Sequence, residues 1–392
     1  MGAHSSSGAI PPLLKNLNER TVLETIRDAA PISRAEISRR TRISKPTVSL
    51  ALKALLEAGL VRESPHEPDG PTYGAVYFEP VADAALVVGL DLGARFLRSA
   101  VCDLGGTIRA RQDIELRQPA AEAGLDVVPS LLTSLLMNTG LDGDLIDAVI
   151  VGVPGVVDSR SGTVHVTHLS ELEGRAFGLE LSERLSLPVT LENDVNLAAL
   201  GEQWLGVARG VEDFVFLSVG TGLGAGLVLH GELHRGHHGA AGEVDYALVG
   251  LAQEVDPSAG AVSSLASTLA PGGKTSLEPP FDVRSVFAAA RGGDIVAQAV
   301  VQEDARRIAL HISAVAAVAD VELAVLGGGL GANGDLLLAP VRELLAGWLP
   351  YAPRVEVSSL GEAAVLTGAL AVGRRAALDN VFANRARKPD SH

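Results

Sequence analysis

One pattern occurs twice in this chain and limits its fold more than any other feature. Residues 85–91 read as a buried strand that ends in Asp91, Leu92-Gly93-Ala94 is a tight turn, residues 96–102 are a second strand, Asp103-Leu104-Gly105-Gly106 is a hairpin turn, and Thr107 begins a third strand. The order returns at Phe214: a strand over 214–219, the turn Gly220-Thr221-Gly222-Leu223-Gly224, a strand over 225–229, the turn His230-Gly231 and another strand. Helical segments follow each copy. A small sheet of this kind must be covered by helices before its apolar face is buried. Two copies predict a duplicated, two-lobed α/β body with a cleft between the lobes as the natural ligand site.

The chain's 392 residues allow two or three domains. The first 62 residues carry ten basic and five acidic side chains, a net +5, whereas the remainder carries −20. A small basic part on an acidic body suits a protein of which one module meets a polyanion. Its apolar pattern agrees. Val22, Leu23 and Ile26 mark a first helix, stopped by Ala29-Ala30-Pro31. Ser33-Arg34-Ala35-Glu36 has capping-box spacing, with the serine covering a free N–H and Glu36 reaching back, and opens a second helix to about Arg40. Ser44 then caps a third helix, with Pro46 in its first turn, that runs through Val48, Leu52, Leu55 and Leu56 to Gly59.

Short helix, tight turn and longer helix is the helix-turn-helix order. Lys45, Thr47, Ser49 and Lys53 fall on the outer face of the third helix, and with Arg34 they are the expected DNA contacts. Residues 60–63 and 75–78 read as strands around a Pro/Gly-rich tip at 64–74, completing a winged helix-turn-helix domain over about 10–80. Operator double-stranded DNA is the expected partner.

Three loops carry chemistry. Gly220-Thr221-Gly222-Leu223-Gly224 lets backbone N–H groups and a hydroxyl approach phosphate oxygens, or merely makes a tight turn. Leu326-Gly327-Gly328-Gly329-Leu330 has the same two readings. In Glu192-Asn193-Asp194-Val195-Asn196, Asn193 can donate to and accept from sugar hydroxyls and Asp194 can take a hydroxyl proton; either can equally cap the helix that follows. Gly239-Ala240-Ala241-Gly242-Glu243 adds a flexible segment ending in a carboxylate. His230, His234, His237 and His238 lie close in sequence but without a carboxylate at helical spacing, and read as solvated loop histidines.

Taken in order, Gly152-Val153-Pro154-Gly155, Glu192-Asn193-Asp194-Val195-Asn196, Gly220-Thr221-Gly222-Leu223-Gly224, Gly239-Ala240-Ala241-Gly242-Glu243 and Gly327-Gly328-Gly329 resemble the ROK proteins, a family of repressors, open reading frames and sugar kinases. The resemblance spans nearly the whole chain. It implies an actin-like, hexokinase-type ROK domain over 84–380, with a smaller lobe of about 84–195 plus the C-terminal helix and a larger lobe of about 196–360. It also implies an effector site at Gly155, Asn193, Asp194 and Glu243, with Asp194 the catalytic base if the chain is a kinase. Residual nucleotide-phosphate loops are implied at Asp91, Gly93, Gly220, Thr221, Gly222, Gly224 and Gly328. The winged module places the chain with the family's transcription factors.

Several departures from the family pattern bear on function. The first phosphate turn of family kinases reads Asp-x-Gly-Gly-Thr; here it is Asp91-Leu92-Gly93-Ala94-Arg95, which adds a methyl and removes a hydroxyl, so no catalytic role is expected. Tyr246 stands where relatives carry a histidine leading into a cysteine-rich zinc loop. With Cys102 the sole cysteine, neither an internal disulfide nor that structural zinc is expected, and no other cofactor. The usual Asn and Trp are missing from 167–177, and the wing has Asp69-Gly70-Pro71 in place of Gly-Arg-Pro.

The expected protein is a homodimeric or tetrameric DNA-binding transcriptional regulator, a repressor of carbohydrate-related genes responsive to a sugar-type effector. A sugar kinase with an appended DNA-binding module and an effector-independent regulator are the rivals. Apolar runs such as 84–90 fall short of the roughly 20 residues that span a bilayer, and residues 1–8 lack the pattern of a signal peptide. A cytoplasmic location without membrane contact is therefore expected.

Overall fold

The computed structural model describes residues 12–65, 75–117, 120–158, 161–247 and 255–385. Helices α1 (Pro12–Ala29), α2 (Arg34–Thr41) and α3 (Lys45–Glu57) form the N-terminal module with a small sheet of β1 (Ile32–Ser33), β2 (Val61–Glu63) and β3 (Tyr77–Pro80), in the order β1-β3-β2. Ser33 caps α2 by accepting from the Glu36 N–H at 3.3 Å. The second half of the expected capping box does not form. Glu36 turns instead to Arg39 (2.7 Å to Nε) and Arg40 (2.8 Å), because two guanidiniums at i+3 and i+4 offer charged donors where the backbone offers a neutral one. Ser44 caps α3 through the Thr47 N–H. Strand β3 begins at Tyr77, two residues later than the sequence suggests, and the wing tip with Asp69-Gly70-Pro71 lies outside the described residues.

The body contains the repeated unit. Strands β4 (Leu86–Leu92), β5 (Phe96–Asp103) and β6 (Ile108–Glu115) make an antiparallel meander; β7 (Ile146–Val153) joins parallel to β4, and β10 (Val189–Asn193) parallel to β7, giving the order β10-β7-β4-β5-β6. Strands β11 (Phe214–Val219), β12 (Leu223–Leu229) and β13 (Glu232–Leu233) make the second meander; β14 (Leu323–Gly327) and β15 (Arg354–Val357) extend it in parallel, giving β13-β12-β11-β14-β15. The two sheets share one connectivity, as the duplication requires. The expected glycine turn at 220–224 is shorter than its glycines suggest: Leu223 pairs with Val219 and Gly224 with Ser218, so the turn is confined to Gly220–Gly222. Strands β8 (Val156–Asp158) and β9 (Thr163–His165) form a separate hairpin.

Helices α4 (Ala120–Thr139) and α5 (Phe177–Leu185) cover the first sheet, with Phe177 and Leu181 fully buried beneath them. Helices α7 (Ala259–Leu269), α8 (Val283–Arg291), α9 (Ile295–Ala319) and α11 (Gly334–Trp348) surround the second, packed on Phe287, Ile308 and Val341; the short α10 (Gly328–Gly331) precedes α11.

Two further helices cross between the sheets: α6 (Asp194–Leu205) and the C-terminal α12 (Ala364–Arg385). They approach so closely that a Cβ on Gly201 would overlap the Ala364 carbonyl oxygen, and one on Gly368 that of Leu197. Only glycine admits this contact.

One apolar cluster joins the N-terminal module to the body. Val22, Leu23 and Ile26 of α1 are continuous with Val87 and Cys102 of the first sheet and with Leu370, Ala377 and Val381 of α12. Arg20 pairs with Asp379 at 2.8 Å, and Arg27 donates to the Leu104 carbonyl at 3.3 Å. The module is thus seated on the first sheet and on α12.

Candidate functional site

A cleft of about 1140 Å³ opens between the two sheets and is lined from both. Gly155, Asn193, Asp194 and Glu243 all line it, as do Gly220, Thr221, Gly222, Gly224 and Gly328. Asp91 and Gly93 do not contribute to its lining.

Asn193 ends β10 and caps α6. Its Oδ1 accepts from the Asn196 N–H at 2.9 Å while its Nδ2 donates to the Gly155 carbonyl at 2.9 Å. The capping reading and the site reading therefore both hold for its position, and one amide N–H is left to donate into the cleft. Buried Glu192 stays behind the loop as its brace, held by Arg235 (2.7 Å), Asn196 Nδ2 (3.0 Å) and the Asn193 N–H (3.0 Å).

Asp194 Oδ1 accepts from the Val195 N–H at 2.8 Å. Burial, with smaller contributions from the Asp91 and Glu243 carboxylates, pushes its pKa up to about 7. Burial and the neighbouring Asp245 also raise Glu243. The cleft thus has a carboxylate-rich surface, suited to hydroxyls, which donate to carboxylate oxygens.

Asp91 lies behind it. Burial raises its carboxyl to about 6 against the pull of Arg98, which pairs with it at 3.2 Å. Arg95, in the turn between β4 and β5, is exposed and pairs with Glu115 at 3.2 Å.

The cleft is also lined by Gly220–Gly222, Gly328, Ser263, Arg284 and Asn333. Gly328 has φ +76°, and a Cβ there would overlap the Val219 backbone, so tight packing accounts for this glycine. Arg291, which also lines the cleft, is held by Asp335 (2.6 Å) and Asn333 (2.8 Å).

Several lining residues lie outside the sequence expectations, among them His168, Asp245, Ser263, Arg284 and Asn333. Tyr246, which stands in place of a family histidine, also lines the cleft. The four clustered histidines lie away from the cleft lining, with His237 and His238 in edge contact at 4.5 Å. Among the described residues no group of three or more His, Cys, Asp or Glu side chains is arranged to hold a metal ion.

On α3, Lys45 and Lys53 are exposed, whereas Thr47 and Ser49 are half-buried. The Thr47 hydroxyl bonds that of Ser44 at 2.8 Å. Ser49 donates to the Lys45 carbonyl at 2.9 Å and accepts from Arg34 at 3.2 Å. The outer face also presents the apolar Leu50, 62% exposed.

Residues 87–376 match the ROK family, and residues 16–70 match the MarR family. The chain belongs to the ROK family. It is 26% identical over 383 residues to a xylose repressor of Caldicellulosiruptor bescii, covering 92% of this chain and 96% of that one. It is 31% identical over 324 residues to a glucokinase of Aeropyrum pernix, covering 74% of this chain and 97% of the other. The crystal structure of a ROK family transcriptional regulator, described as a homologue of the E. coli MLC protein, superimposes with a TM-score of 0.79 over 95% of this chain and 98% of its own, at 23% identity. The glucokinase match leaves out about a quarter of this chain, whereas the repressor match includes the winged module's share. A winged module joined to a ROK body makes this a DNA-binding transcriptional regulator.

Proposed function

We propose that this protein is a transcriptional repressor of carbohydrate genes whose operator affinity is set by a neutral sugar bound at Gly155, Asn193, Asp194 and Glu243. The observation that carries the reading is the position of α6. Its first residue, Asp194, faces the cleft, and the helix packs along α12, which in turn supports the winged module. Sugar-driven closure of the lobes would shift this helix pair and with it the DNA-binding helices.

The carboxylates Asp194, Glu243 and Asp245 at one end favour an uncharged polyol over a sugar acid or sugar phosphate. The relatives named xylose repressors make D-xylose the first compound to test. Operator DNA would be read by a homodimer as an inverted repeat. No structural zinc is needed in this reading: Tyr246 replaces the histidine, and one cysteine remains in the chain.

The kinase reading has one observation in its favour, an Asp194 carboxyl near neutrality, which suits a general base. Against it stands the first phosphate turn, where Arg98 occupies the Asp91 carboxylate. Thermal melts and gel shifts with D-xylose, D-glucose, D-glucose 6-phosphate and D-gluconate test the proposal. A ligand at 100 times its Kd adds about 2.7 kcal/mol to stability. Stabilisation by a neutral sugar with release of operator DNA is expected. Sugar-dependent ADP formation from ATP, lost in Asp194→Ala, would demote the repressor reading.

A further inference from the structure

Helix α3 has a sharply divided surface. Val48, Ala51, Leu52 and Leu55 are buried, and the stripe diametrically opposite carries Pro46, Leu50, Lys53 and Glu57 at spacings of four, three and four. Leu50 is in the middle of that stripe and 62% exposed. A lone exposed leucine is ordinary on a protein surface. Its surroundings set this one apart: Lys53 is nearly one turn after it, Arg34 is bonded to the adjacent Ser49 at 3.2 Å, and Lys45 begins the helix five residues before it, about 140° round the axis. The face is therefore apolar at its centre, with cationic side chains along one flank.

A second helix of this motif enters the major groove by its first turns, with cationic side chains on the phosphates. The groove floor offers donors and acceptors from every base and one apolar group, the C5 methyl of thymine. A leucine has no donor or acceptor. Set against guanine, adenine or cytosine it would leave their polar edges desolvated and unpaired, a cost that thymine's methyl does not impose. We infer that Leu50 is a specificity-determining residue that selects a thymine methyl in each operator half-site, while Lys45 and Lys53 supply affinity without sequence information.

The test begins with duplexes selected from a randomised DNA pool by the full-length protein. Each thymine in the selected site is replaced in turn by deoxyuridine, which removes only the methyl. Binding should weaken about fourfold at one thymine position per half-site, the worth of a single buried methyl, and remain unchanged elsewhere. In Leu50→Ala that difference should vanish, with circular dichroism unaltered because the side chain is exposed. Leu50→Gln, which can bond adenine through two hydrogen bonds, should select a different base at the same position. Lys53→Ala is the control: its salt dependence falls while its deoxyuridine response persists. A selected site without a fixed thymine, a flat deoxyuridine scan, or a response retained in Leu50→Ala would each overturn the inference.

Discussion

Arg98 sits directly across the β4–β5 pairing from Asp91, donates to its carboxylate at 3.2 Å, and reaches Glu362 with its other amino group at 2.8 Å. The guanidinium also lies over the Phe96 ring at 5.3 Å. In a family whose kinases open their first phosphate turn with this aspartate, the chain's own cation already holds the carboxylate.

Removing that cation leaves a buried acid beside Asp113 and Glu362, both of which push it further towards protonation. Arg98→Ala should therefore destabilise the fold by roughly 1–3 kcal/mol at pH 8 and by less at pH 5, where the carboxyl can hold a proton at small cost. Urea denaturation at the two pH values measures this. An equal loss at both would mean that the pair contributes no electrostatic stabilisation.

Asp194 supplies a second pH dependence with a defined sign. Its folded pKa of about 7 lies above the ordinary carboxylate value of 3.8, so the folded state binds the proton more tightly than the unfolded chain. Stability from this group is present at low pH and is lost as pH rises from about 4 through about 7. Each unit of such a shift is worth about 1.4 kcal/mol at alkaline pH. Asp194→Asn keeps the shape without the charge, so it should melt above the wild type at pH 8 and lose much of that advantage at pH 4.5. Asp91, raised to about 6 by burial, contributes a slope of the same sign that the variant retains. Equal melting curves at pH 8 would show that the Asp194 charge is solvated.

These pairings explain which parts of the chain its sequence disclosed. Both meanders could be read because a strand, a glycine turn and a hairpin leave local marks, and α2 and α3 because Ser33 and Ser44 stand at capping positions. The cleft carboxylates were legible through their loops. Arg98 was not, since its partner is fixed by the register Asp91↔Arg98 and by Glu362, far along the chain. Glu36 was misread for a related reason: its spacing to Ser33 signals a capping box, but Arg39 and Arg40 compete for the same carboxylate. No local pattern marks Gly201 and Gly368 as the contact that brings α6 against α12.

The DNA-binding face makes a prediction independent of the cleft. Lys45 is exposed, and the Lys53 ammonium is 3.7 Å from Glu57 at the surface, a pair worth little to stability. Lys45→Ala and Lys53→Ala should each weaken operator binding and reduce the slope of log K against log salt by about one, with melting temperatures unchanged. Gel-shift titrations over a range of salt give the slopes. An unaltered slope would place the phosphates on another face of the module.

The remaining relationship links the two binding functions through one helix. Asp194 begins α6 in the cleft, and Trp204 lies near its far end with the Arg374 guanidinium of α12 over its ring at 5.0 Å. Further along α12, Asp379 pairs with Arg20 of α1 at 2.8 Å, and Val381 joins the apolar cluster of Val22 and Ile26. A displacement of α6 at the sugar end must therefore carry α12 and α1 with it unless both the Trp204 stack and the close contact at Gly201 and Gly368 give way. Trp204→Ala removes the ring while leaving both the cleft and α3 untouched. Sugar affinity and operator affinity, each measured alone by calorimetry and fluorescence anisotropy, should stay within a few-fold of wild type. Their coupling should not: couplings between such sites commonly span about 5- to 150-fold, and in Trp204→Ala the sugar should shift operator affinity by less than about twofold. Arg374→Lys, which retains the charge but not the planar stack, should fall between the two. A full sugar response in Trp204→Ala would show that the signal reaches the winged module without this stack, through the contact of α6 with α12 at Gly201 and Gly368 or across the first sheet and the Leu104 contact with Arg27.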